Sequence, residues 1–66
     1  MNEKIKNKLL EIITEDGTEW KVIVKEIEKI AIIKNWWLVR SIIQELKNEN
    51  IIARTDNVYQ EIYIKL

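Results

Sequence analysis

The chain has 66 residues, room for one domain spanning 1–66, and its 47% hydrophobic and 33% charged content describes a folding chain rather than a disordered one. Eleven basic residues balance eleven acidic ones for a formal net charge of zero, which excludes the blanket basic charge carried by many nucleic-acid proteins and leaves only local asymmetry. Cysteine and histidine are absent, so disulfides, zinc fingers, thiolate nucleophiles and imidazole acid–base chemistry are excluded together.

Residues 3–14 read as a first helix. Ile5, Leu9, Ile12 and Ile13 fall on one stripe at helical spacing, with Lys4, Lys6, Asn7, Lys8 and Glu11 facing away. Asn2 stands where an N-cap is wanted, and Glu15-Asp16-Gly17 ends the helix through the chain's single glycine. Thr18 offers a second N-cap before a stripe of Trp20, Ile23, Val24, Ile27, Ile30 and Ala31. Alternatively, residues 18–22 open as a short strand and the helix begins near Ile23, because Val22 would point outward from a helix. Ile32-Ile33-Lys34 has no periodicity and reads as a turn. Asn35 then caps a third helix reaching Asn48 or Glu49, with Leu38, Val39, Ile42, Ile43 and Leu46 inside one arc. Trp37, Arg40, Ser41, Gln44, Lys47 and Asn48 lie on the opposite side, Trp36 lies on the border, and Asn50 is the left-handed residue that stops the helix.

The rest changes period. Residues 51–55 and 58–66 are rich in β-branched and aromatic side chains and flank Asp56-Asn57, which predicts a two-residue hairpin turn. In that register Ile51 opposes Ile62 and Ala53 opposes Gln60. Ile64 and Leu66 extend the face turned to the helices, and Arg54, Tyr59, Tyr63 and Lys65 line the outer face. The expected class is α+β: three helices closed by a two-stranded hairpin, with residues 18–22 available as a short third strand.

Val22-Ile23-Val24-Lys25-Glu26-Ile27 and the run from Val39 through Arg40, Ile42, Ile43, Leu46 and Asn50 to Ile52 carry a family likeness. Together they resemble the winged-helix family, whose second helix is of the "VKEL" type and whose third runs "VRRALKELEEKGLI" into a wing strand. The likeness covers roughly residues 5–66, and size and composition are most similar to small archaeal and archaeal-virus members. Asn50 replaces a common glycine, the turn before the third helix is longer by about two residues (Ile33 and Lys34), and the short wing carries Asp56, which repels phosphate.

The resemblance implies a small transcriptional regulator whose third helix enters the major groove of double-stranded DNA. Arg40 would read guanine and Gln44 adenine, while Ser41, Lys47 and Lys34 would meet phosphate. Trp36 or Trp37, whichever is exposed, would stack on DNA or anchor a protein contact, and Trp20 belongs to the core. Arg54, Tyr59, Tyr63 and Lys65 would add a second contact strip, Arg54 and Lys65 on phosphates and Tyr59 hydrogen-bonding or stacking, unless the strip serves cross-strand Tyr–Arg packing instead. A homodimer would double so small a footprint. The rival reading is a protein–protein module, favoured if Glu45, Glu49 and Glu61 interrupt the positive face around Arg40, Lys47, Lys34 and Arg54. No nucleophile, metal partner or glycine-rich loop accompanies Glu15-Asp16, and no histidine stands by to activate Ser41, so no enzyme, cofactor, metal or small-molecule substrate is expected. With no apolar run near the ~20 residues of a membrane span and no signal-peptide pattern, the expected location is the cytoplasm.

Overall fold

The computed structural model describes residues 2–56 and 59–66, apart from the side chain of Asn2. Chain order is α1 (Asn2–Ile12), β1 (Thr18–Glu19), α2 (Trp20–Glu28), α3 (Trp37–Asn48), β2 (Ile52–Arg54) and β3 (Ile62–Lys65). The three strands form one antiparallel sheet in the order β1-β3-β2, so the last strand in sequence is central. The α+β class holds. The closing element is a three-stranded sheet rather than a hairpin alone, because Thr18 and Glu19 pair with Tyr63 and Ile62.

The helical stripes build the core. Ile5, Leu9 and Ile13 from the α1 region meet Ile23 and Ile27 of α2 and Val39, Ile42, Ile43 and Leu46 of α3, all buried, with Ile52 and Tyr63 closing the sheet side. Burying each such side chain contributes about 1.5–3 kcal/mol. Leu38, assigned to the inner arc, lies at its edge and is exposed. Val22 is exposed on α2, as helical phase requires, so only Thr18–Glu19 of the alternative strand forms.

Three local devices set the boundaries. Gly17 takes φ +105, a conformation that L side chains rarely adopt, and a Cβ there would also crowd Ile62 Cγ2 at 3.1 Å, so the turn after α1 favours glycine. Trp36 occupies the cap position of α3 rather than Asn35, but Asn35 Oδ1, one residue earlier, accepts the Trp37 N–H at 2.9 Å and so satisfies a donor of the first turn. Asn50 takes φ 61, with its own N–H bonded to Lys47 O and the Ile51 N–H to Leu46 O. That pair of bonds is the Schellman exit, which satisfies orphan carbonyls of α3.

Thr18 does not cap α2. It is a buried strand residue whose hydroxyl donates to Ile12 O at 2.9 Å and accepts the Thr14 N–H at 3.3 Å. It therefore closes the end of α1, and Glu19 occupies the α2 cap position without a side-chain capping bond to the helix. The caps and turn expected of Asn2 and Asn57 fall outside the described side chains and residues.

The hairpin register also differs from expectation. Ala53 stands opposite Ile64, not Gln60, and Thr55 N–H donates to Ile62 O at 2.7 Å, so the connection is longer than the two residues Asp56-Asn57. The face turned to the helices carries Ile52 and Tyr63, both buried, whereas Leu66 is exposed and Ile62 and Ile64 are half-buried. Tyr63, expected on the outer face, is a core residue.

Candidate functional site

Helical phase projects Trp37, Ser41, Gln44 and Asn48 in one exposed row along α3, with Arg40 and Lys47 on the flank toward the sheet. α3 packs against β2, and the angle between them leaves an open groove of about 340 Å³. Its α3 wall is Trp37, Arg40, Ser41, Gln44 and Lys47, its sheet wall Arg54 and Tyr63. Six of the residues singled out in the sequence thus converge on one concavity. Three others do not. Lys34 is exposed on the loop before α3, Tyr59 projects 92% exposed beside a separate hollow with Trp20 and Glu19, and Trp36 turns inward.

The three tryptophans divide by environment. Trp37 is 74% exposed, although a large apolar ring in water is usually covered by something. Trp36 packs edge-to-face on Trp20 with ring centroids 5.8 Å apart. Both lie against the core and are only partly buried, so Trp20 borders the interior rather than filling it.

Arg40 has intramolecular partners on two sides. Its guanidinium carbon sits 4.1 Å from the centre of the Trp20 ring, a cation–π stack. The same guanidinium reaches both Glu61 carboxylate oxygens, Nη1 to Oε2 at 2.9 Å and Nη2 to Oε1 at 3.5 Å. Glu61 is held there by its own backbone, since its carbonyl accepts the Trp20 N–H at 2.9 Å. It also accepts the Tyr63 hydroxyl and lies 3.6 Å from Arg54 Nη2. Arg54 in turn pairs with Asp56 at 2.8 Å and stands directly across the strands from Tyr63. The register thus sets a Tyr–Arg pair across the strands, the arrangement that cross-strand packing uses.

Electrostatics follow from this hub. Burial pushes the Glu61 carboxyl up, but the Tyr63 hydroxyl and the Arg40 and Arg54 guanidiniums outweigh it and hold the group below the ordinary value. Burial, and then the adjacent Glu61 charge, push the Tyr63 phenol up to about 12. The Arg54 hydrogen bond lowers Asp56. No known protein family, curated protein or solved structure matches the chain.

Glu61, Tyr63 and Trp20 are the site residues that sequence reasoning placed elsewhere or counted only as surface charge. Glu61 lies 21 positions from Arg40, and no local spacing announces such a pair. Among the described residues no group of three or more acidic side chains is placed to hold a metal ion. Among those same residues, no helix is long and apolar enough to cross a membrane.

Proposed function

We propose that this domain binds double-stranded DNA as a small transcriptional regulator, laying the outer face of α3 in the major groove. The observation that carries this reading is the exposed row Trp37, Ser41, Gln44 and Asn48, flanked by Lys47, along a groove with no acidic side chain among its described lining residues. Gln44 can pair with adenine, Ser41 and Lys47 suit phosphate, and Trp37 offers a flat apolar face to sugar or base. The order α1, β1, α2, α3, β2, β3 with β3 central is compatible with a winged-helix layout, which presents its third helix in this way. Arg40 takes a smaller share than its sequence position suggested, because its fork already meets Glu61. Few cations remain for phosphate, so monomer affinity is low and a homodimer supplies the second half-site.

A specific observation favours a second reading, docking to another protein. Trp37 is the most exposed of the three tryptophans, and both arginines lining its groove are paired with carboxylates of the chain. A fluorescence-anisotropy titration with random duplex DNA separates the two. The DNA reading expects binding at low salt that weakens with a log–log slope of about −2 to −4, for two to four phosphates. Trp37→Ala should leave the fold intact and weaken binding about tenfold, the loss of one stacking contact. Absence of binding at low salt removes the DNA reading, and loss of self-association in Trp37→Ala by sedimentation favours the protein one.

A further inference from the structure

We infer that Glu61 is an internal stand-in for phosphate, closing an Arg40–Arg54 anion clamp that opens when the groove takes up a nucleic-acid backbone. The inference rests on the DNA reading above and assigns the control of that same groove. Arg40 and Arg54 come from different elements, α3 and β2, yet both guanidiniums reach the one carboxylate of Glu61, at 2.9 and 3.6 Å. Arg40 sets its fork on both carboxylate oxygens and Arg54, held by Asp56 through its Nε, brings a second guanidinium to one of them; guanidiniums gathered on one anion are how arginines take a phosphate. Both arginines also line the groove beside Ser41 and Lys47, while Glu61 lines the separate hollow with Trp20, so the guanidiniums border both the carboxylate and the path a backbone would follow.

The clamp is loose enough to exchange its occupant. The Arg40 and Arg54 side chains retain 38% and 40% exposure, so water reaches them and the ion pairs are weak. Arg40 keeps its Trp20 stack when the carboxylate leaves, because that contact is made through the guanidinium face and not its edge. Glu61 keeps the Tyr63 hydroxyl. A phosphate entering the groove therefore replaces one anion by another, and the net gain is small. Glu61 thus sets the attraction of a groove lined by Arg40, Lys47 and Arg54 below what three unpaired cations would give. It holds down attraction to any polyanion and favours duplexes whose base contacts along α3 add the missing affinity.

The test compares wild type, Glu61→Gln, Glu45→Gln and the double variant Arg40→Gln/Glu61→Gln on random duplex DNA over a range of salt, with circular dichroism to verify folding. The glutamine amide oxygen introduced by Glu61→Gln can still accept the Tyr63 hydroxyl, so the loop keeps one anchor. Glu45→Gln removes the same charge from the other flank of α3 and releases neither arginine. The expected result is binding by Glu61→Gln about threefold to tenfold tighter than wild type, with a salt slope steeper by about 0.9 for the one cation freed, Arg40, since Arg54 keeps Asp56. The gain should exceed that of Glu45→Gln and fall away in the double variant. If wild type binds DNA but Glu61→Gln gains no more than Glu45→Gln, the clamp is overturned and the DNA reading stands. If a folded wild type and a folded Glu61→Gln both fail to bind at low salt, the clamp and the DNA reading fall together.

Discussion

At the scale of single residues, Glu61 ties down the two arginines that line the groove. Its carboxyl is held below the ordinary value of 4.5, so the folded chain binds its proton less readily than the unfolded chain. The resulting stability is present above that ordinary value and disappears as pH falls through the lower folded one. Urea midpoints of wild type and Glu61→Gln should therefore differ at neutral pH and converge between roughly pH 5 and pH 3. A gap that stays constant across that range would show that Glu61 acts through packing alone. Asp56 and Glu26, lowered by their bonds to Arg54 and Lys29, contribute acid sensitivity of the same sign that the variant retains. The outward phase of Arg40 was legible because helical spacing needs only neighbours in sequence. Its partner was not, since only the sheet brings residue 61 to residue 40.

At the scale of elements, the exit of α3 offers the sharpest check. Asn50 sits at φ 61, where a Cβ costs roughly 1–2 kcal/mol and glycine costs little. Asn50→Gly should match or exceed wild type in thermal stability, whereas Asn50→Ala should lose about 1 kcal/mol, read from the shift in urea midpoint. Equal stability of the two variants would mean that the left-handed turn is not what ends the helix. This stop was readable because asparagine in that position has one main structural use. The hairpin was less readable. Ile51 and Ile52 are adjacent, as are Ile62, Tyr63 and Ile64, so either parity turns apolar side chains toward the helices. Moving the partner of Ala53 from Gln60 to Ile64 leaves the alternation of faces unchanged, so hydrophobic pattern cannot choose between the two registers. The strand at Thr18–Glu19 is only two residues long and has no periodicity to detect; it exists because β3 offers a free edge.

At the scale of the whole molecule, one small core supports everything. A chain of 66 residues has a total stability of roughly 3–10 kcal/mol. Leu9 is fully buried where α1 faces α2 and α3, and truncating such a leucine to alanine costs about 3 kcal/mol or more. Leu9→Ala should therefore bring the melting transition close to ambient temperature, while Trp37→Ala leaves it in place. Calorimetry that showed Leu9→Ala melting with wild type would contradict a single shared core. The perpendicular packing of Trp20 on Trp36 has an optical corollary. Two indoles held at a fixed angle couple their electronic transitions and give a signed circular-dichroism couplet that free tryptophan lacks. Trp37, in water, emits to the red and is open to collisional quenchers. The protein thus carries two native reporters, a couplet that follows the packing beneath Arg40 and an emission that follows whatever covers the outer face of α3.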